Sequence, residues 1–362
     1  MTARTPELSG VHTISTSAQD AVPVIGFESV TKRYRGGVTA LDEVSLTLPS
    51  GVTLGLVGES GSGKSTCVRL ALGLERPTAG QVAFRGRPYP RSRRRLRPLR
   101  RQFGFVLQDP YDSLDPRLTL RDIVSEPLRV HGLRSRDTDR RITEMLEAVG
   151  LRDATLDSYP SRYSGGGLQR IAIARALITD PAVLICDEPT SSLDVSVQAQ
   201  IINLLLEARR GRGLSVLFVS HDLDLIGRVA DTLVVMYRGR VVESGPAALV
   251  RSQPRHPYTR SLHDAVPADH PARRRLIAGG TGASRGDDRA NSARAARADD
   301  PASPARTARA DDPGTVPRAA DATDSCVFAD RCPAVADRCR TERPPVVTEP
   351  DGRTHACFFP LS

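Results

Sequence analysis

Aromatic residues are scarce, 4% of 362 positions with no tryptophan, while proline occurs 27 times. A chain with so few large rings is expected to leave part of itself unpacked. Long apolar runs are missing too: residues 182–186 and 233–237 are among the longest, far below the roughly 20 residues that cross a bilayer. Residues 1–22 include Arg4 and His12 but no apolar block, so they match neither a secretion signal nor a membrane anchor. The expectation is a cytosolic chain, for which any membrane role has to be borrowed from partners.

Acidic charge is outnumbered. Against 42 Asp and Glu stand 51 Lys and Arg, a formal net charge of +9, which suits nucleic acid, anionic lipid or a polyphosphate ligand and selects none of them. Much of the excess lies in residues 91–101, a run that reads as a solvated face. Cysteine is sparse and uneven. Cys67 and Cys186 fall in segments patterned as a buried helix and a buried strand, where cysteine acts as a small hydrophobe. The other four, Cys326, Cys332, Cys339 and Cys357, cluster as C-x5-C-P-x5-C-x17-C. In a reducing compartment such a group reads as a metal site, a 4Fe–4S cluster or a structural Zn2+, and the lack of any C-x2-C pair favours iron–sulfur.

Residues 27–267 alternate short apolar strands with helical patterns, the mark of an α/β domain with a largely parallel sheet. Residues 54–57, 183–186 and 216–219 are strand-length apolar runs followed by polar residues, which places ligand chemistry at the strands' C-terminal edge. Strand-like runs give way to helical ones over about 109–180, a helical insertion, and Arg238-Gly239 marks a hairpin near the domain's end. Residues 1–26 read as a disordered segment. Residues 268–324, dominated by Ala, Arg, Asp, Gly and Pro, read as a disordered linker, with ARADDP at 296–301 and again at 308–313. Residues 325–362 form a small Cys-rich extension.

After residues 54–57 come Gly58, Glu59, Ser60, Gly61, Ser62, Gly63, Lys64, Ser65 and Thr66, which fit G-x-x-x-x-G-K-[ST] between a strand and a helix. Glycines let the backbone curl so that N–H groups face phosphates, the helix N-terminus adds its dipole, Lys64 supplies positive charge and Ser65 offers a hydroxyl to Mg2+. A second buried strand ends in Asp187 and Glu188. Two acids there need a purpose: Asp187 to hold Mg2+ through water, Glu188 to polarise an attacking water.

Residues between these motifs narrow the field. Tyr163-Ser164-Gly165-Gly166-Gly167-Leu168-Gln169-Arg170, with Arg175-Ala176-Leu177 beyond, resembles the signature of ABC (ATP-binding cassette) ATPases. Gln108 matches that family's glutamine loop, Ser192-Leu193-Asp194 its aspartate loop and His221 its switch histidine, while Tyr34 stands where an aromatic stacks on adenine. The resemblance implies two ATPase subunits, homo- or heterodimeric, meeting head to tail with each ATP between one subunit's phosphate loop and the other's Ser164, Gly165 and Gly166. It further implies that Gln108 reaches Mg2+ and passes closure to a membrane subunit, that His221 holds the γ-phosphate, and that Asp194 serves the nucleotide interface. Gly167 departs from the usual Gln, at a helix cost of roughly 0.5–1 kcal/mol relative to Ala.

Gln108-Asp109-Pro110-Tyr111-Asp112-Ser113-Leu114-Asp115-Pro116-Arg117, His256-Pro257-Tyr258-Thr259 and the cysteine tail resemble the branch that energises uptake of oligopeptides, dipeptides and nickel. That resemblance implies two integral membrane permeases, an extracytoplasmic solute-binding protein and a peripheral place on the cytoplasmic face of the plasma membrane, with no nucleic acid. The competing reading is a soluble ABC-type ATPase on nucleic acid or ribosomes, for which the basic charge is the argument.

Overall fold

The computed structural model describes residues 22–265 and 324–362. Strands β1 (Ile25–Arg33) and β2 (Thr39–Leu48) pair antiparallel, β2 with the inside-outside alternation of a sheet that has one dry face. Strand β3 (Thr53–Val57), buried throughout, leads to helix α1 (Lys64–Ala71). Strands β4 (Ala79–Phe84) and β5 (Arg87–Pro88) return to the first sheet. The arginine run forms helix α2 (Arg93–Arg100), anchored by buried Leu96, and β6 (Phe103–Val106) follows. Helices α3 (Pro110–Ser113), α4 (Leu120–Val130), α5 (Thr138–Ala148) and α6 (Gly165–Leu177) occupy the stretch without strand signals.

Strand β7 (Val183–Asp187), helix α7 (Val195–Arg212), strand β8 (Ser215–Ser220) and helix α8 (Leu223–Val229) then alternate. The hairpin is β9 (Thr232–Tyr237) with β10 (Arg240–Pro246), followed by α9 (Ala247–Ser252) and α10 (Pro257–Asp264). The tail contributes α11 (Asp337–Thr341), β11 (Val347–Thr348) and β12 (Thr354–His355).

The main sheet runs β11-β12-β10-β9-β3-β8-β7-β6, parallel from β9 to β6. Parallel strands are covered on both faces and need apolar residues at consecutive positions. Their twofold alternation splits the core. Val183, Ile185, Leu54 and Leu56 pack with α1 and the first sheet, whereas Leu184, Cys186 and Val57 face the helices of the other side. Cys67 and Cys186 are buried as expected of small hydrophobes, and burial pushes the Cys67 thiol up to about 12.

One expectation needs correction. Strand β1 starts at Ile25, and Val24 and Ile25 are 2% and 1% exposed, so the end of the stretch read as disordered to residue 26 is ordered, while residues 1–21 lie outside the described residues. The proline at 23 and the glycine at 26 concealed a strand onset whose apolar residues are only two. The Cys-rich extension packs onto the domain: β12 extends the main sheet through Glu243↔His355 and Ser244↔Thr354. The stretch read as a linker lies outside the described residues, apart from residue 324.

A buried corner joins tail and sheet. The Glu243 carboxylate, 0% exposed, accepts the N–H groups of Arg255 and His256 at 2.8 and 2.9 Å. Fully buried Arg353 donates to Asp351 and to the carbonyl of Gln253. His256 caps α10, its Nδ1 accepting the Tyr258 N–H at 3.0 Å, which only a neutral ring does. Burial, with His355 nearby, pulls the His256 pKa down to about 4. The unfolded chain therefore binds a proton between roughly pH 4 and pH 6.5 that the folded chain refuses, and this group's contribution to stability falls as pH drops through that window, by on the order of 3 kcal/mol. Denaturant titrations at pH 4.5 and pH 7 are expected to show this loss in the native chain and a smaller one in His256→Asn, which keeps an acceptor but no titrating ring.

Candidate functional site

The loop between β3 and α1 is shaped by neighbours that leave no room for side chains. A Cβ on Gly58 would lie 2.2 Å from the Met236 carbonyl oxygen, and Gly63 has φ 104° with the Ala40 carbonyl 2.7 Å from where its Cβ would stand. Only glycine fits either place. Lys64, 7% exposed, curls over the loop and donates to the carbonyls of Gly58 and Glu59 at 2.6 and 2.9 Å. Burial lowers its pKa, while Glu188, Asp187 and Glu59 pull it back up. The Ser62 hydroxyl is buried without a partner, as expected of a loop whose polar groups await a ligand.

Parallel β3, β7 and β8 bring the other candidates to this loop. A cavity of about 880 Å3 is lined by Tyr34, Glu59, Ser60, Gly61, Gly63, Lys64, Ser65, Thr66, Gln108, Asp187, Glu188 and His221. Tyr34 reaches it from beyond β1, its hydroxyl 3.4 Å from Thr66 Oγ1. Asp187 closes β7, its pKa raised by burial and then by Glu188, against the lowering effect of Lys64. Glu188 takes φ 47°, an uncommon conformation for a non-glycine residue, and its N–H bonds the Val219 carbonyl at 3.0 Å. That geometry presents one carboxylate oxygen to Gln108 Nε2 and to His221 Nδ1, each at 3.2 Å. Cations, acids and amides from four segments thus share one open cavity. The set fits a polyphosphate with a divalent cation, because the loop supplies N–H groups and one lysine while Ser65, Gln108 and Asp187 supply oxygens.

Ser164, Gly165 and Gly166 are not in that cavity's lining. Ser164 is exposed and caps α6, accepting the Gly167 N–H at 3.4 Å. Gly165 and Gly166 lie against Leu193 and Val197, and a Cβ on Gly166 would meet Val197 at 2.6 Å. Asp194, exposed beside them, caps α7 by accepting the N–H groups of Ser196 and Val197; the Ser196 hydroxyl first, and then these backbone bonds, hold its carboxyl below the usual range. The glycine at 167 has a local reason. A Cβ there would stand 3.0 Å from that of Tyr163, whose hydroxyl is tied to Ser158 at 2.9 Å.

The four tail cysteines line one small cavity with Phe328 and Phe359. Burial above all raises the thiols of Cys326 and Cys332, and that of Cys357 to about 11. A metal on Cys326, Cys332, Cys339 and Cys357 is not supported by this arrangement: among the described residues no three His, Cys, Asp or Glu side chains are placed to hold an ion. Two residues that hold Glu59, in the loop between β3 and α1, escaped the sequence reading. Tyr258 accepts the Glu59 N–H at 2.9 Å and Arg331 grips the Glu59 carboxylate; the only local sign was the His-Pro-Tyr-Thr run.

Comparison with known proteins agrees with this geometry. A family model described as ABC transporter matches residues 41–191, and one described as oligopeptide/dipeptide transporter, C-terminal region, matches 242–288 and 300–339. The probable peptide ABC transporter ATP-binding protein y4tS of Sinorhizobium fredii is 40% identical over 342 residues, 91% of this chain and 88% of that protein. The oligopeptide transport ATP-binding protein OppF of Bacillus subtilis is 46% identical over 241 residues, 66% of this chain and 79% of that protein. The glutathione import ATP-binding protein GsiA of Escherichia coli is 46% identical over 268 residues, but the match spans only 43% of its length. Among solved structures, the dimeric post-hydrolysis cassette MJ0796 bound to ADP and Pi has a TM-score of 0.56 at 31% identity, covering 62% of this chain and 98% of that one. Among the described residues no helix is long and apolar enough to cross a membrane. With residues 58–66, Asp187, Glu188 and His221 around one cavity, a chain 40% identical to y4tS and 46% identical to OppF belongs to the ATP-binding, ATP-hydrolysing proteins of ABC transporters.

Proposed function

We propose that this chain energises an importer of peptides or small peptide-like solutes, pairing head to tail with a second ABC ATPase beneath two membrane permeases served by an external solute-binding protein. One observation carries the pairing. Lys64, Asp187, Glu188, Gln108 and His221 share a cavity, while Ser164, Gly165 and Gly166 open helix α6, whose N-cap is exposed, elsewhere on the same chain. A helix N-terminus attracts phosphate, so a second chain supplies the missing wall of each site.

Within the site, Tyr34 stacks on the adenine, residues 58–66 wrap the phosphates and Lys64 faces the β- and γ-phosphates. Ser65, Gln108 and Asp187 are the residues that would hold Mg2+, which would supply positive charge to the phosphate oxygens. Glu188 orients a water and accepts its proton as the water oxygen bonds the γ-phosphorus and the bond to the ADP oxygen breaks. His221 keeps Glu188 aligned and contacts the γ-phosphate. Ser164, Gly165 and Gly166 of one chain clamp the partner's ATP, with Asp194 beside them at the interface. Gln108 borders helices α3 to α6, the route by which closure reaches a permease. A peripheral place at the inner membrane face follows from those partners.

The solute class rests on the tail's match to the oligopeptide/dipeptide model and on y4tS and OppF. Uptake of a labelled tripeptide by cells lacking the gene is expected to return with the native chain and not with Glu188→Gln. Full uptake without the gene, or with the variant alone, overturns the reading.

A further inference from the structure

Glu59 is the one carboxylate within residues 58–66, and it lines the cavity next to Lys64. A negative charge at that point repels a triphosphate. The fold restrains it from two sides, both outside the loop. The buried Tyr258 hydroxyl accepts the Glu59 N–H, and both arms of the Arg331 guanidinium donate to its carboxylate at 2.7 and 2.9 Å. Arg331 lies 272 positions away in the tail. Its fork is set over the rings of Tyr237 and Phe328, 5.7 and 5.9 Å from their centroids. Those rings pack with Tyr258 in one aromatic cluster. A planar cation stacked on rings and bidentate to a carboxylate is preorganised in a way no lysine reproduces.

We propose that Arg331 is a positioning residue for nucleotide binding: the docked tail neutralises Glu59, so the C-terminal segment sets the affinity of the phosphate loop for ATP. The inference rests on reading residues 58–66 as that loop. Cys332 follows Arg331 directly, and Cys326 and Cys332 share a cavity wall with Phe328. Whatever undocks this segment therefore reaches the ATP site through the Arg331–Glu59 ion pair and through Phe328 packed on Tyr258.

The test uses the full chain as wild type, Arg331→Ala, Arg331→Lys, Glu59→Gln and the Arg331→Ala/Glu59→Gln double variant, with Lys64→Ala as control. KM for ATP, kcat and binding of a fluorescent ATP analogue are measured at low and high salt. Arg331→Ala is expected to raise KM and Kd about three- to five-fold, the scale of an exposed ion pair, with kcat little changed. Arg331→Lys recovers part of the loss. Removing the stranded charge in the double variant restores wild-type affinity, and salt shrinks the gap. Unchanged affinity in Arg331→Ala, or a loss that Glu59→Gln does not repair, overturns the proposal. Should Lys64→Ala bind ATP normally, the phosphate-loop reading itself falls; if Lys64→Ala loses binding while Arg331→Ala does not, only the role of Arg331 falls.

Discussion

Glu188→Gln is expected to bind ATP as the native chain does and to lose nearly all turnover, with kcat lower by about 100- to 10,000-fold, the range for removing a general base. The substitution keeps the size and the hydrogen-bonding reach of the side chain and deletes its basicity. The backbone there is fixed independently, by the bond from the Glu188 N–H to the Val219 carbonyl, so the fold has no reason to change. Gln108 and His221 retain an oxygen to contact at the position now 3.2 Å from each. With ATP bound and not consumed, the clamp between two chains cannot reopen. Gel filtration with Mg2+ and ATP is therefore expected to show a dimer in the variant that the native chain holds only transiently. Native turnover in Glu188→Gln would remove Glu188 from the chemistry.

Lys64→Ala is expected to fail a step earlier, at binding. Its ammonium bonds the Gly58 and Glu59 carbonyls and stands near Asp187 and Glu188. A charged hydrogen bond to a phosphate contributes about 1.5–3 kcal/mol, so ATP affinity should drop about ten- to a hundred-fold in calorimetric titration. Stability should behave differently. Burial is the largest influence on Lys64 and lowers its pKa, which means that its charge costs the nucleotide-free fold something. The Tm of the nucleotide-free variant is therefore not expected to fall, and added ATP should raise the native Tm far more than the variant's. Equal ATP-induced shifts would count against the phosphate loop.

What could be read from the sequence were the parts whose chemistry is local. The glycines at 58 and 63 are required because a carbonyl already fills the space of their Cβ, so spacing and structure had to agree. The apolar runs of β3, β7 and β8 were legible because strands covered on both faces tolerate no other pattern. Residues joined across long separations left no such trace. Tyr258 and Arg331 meet Glu59 from 199 and 272 positions away, and apart from the His-Pro-Tyr-Thr run nothing in their neighbourhoods points to residues 58–66. The pairing of β12 with β10 was hidden for the same reason, since a two-residue strand has no periodicity to detect. Four cysteines in a short tail suggested metal by composition; they line one cavity with Phe328, and a metal there is not supported among the described residues.

The pairing of Ser164 with another chain's phosphate loop and the coupling to permeases stand or fall together on what this chain binds in its own membrane. The direct measurement is to tag the chain, solubilise native membranes in mild detergent, purify it with ATP and identify what accompanies it. Multi-pass proteins together with an ABC ATPase partner are the predicted result. Nucleic acid or ribosomes in their place, with no membrane protein, would contradict the importer and turn attention to the basic charge.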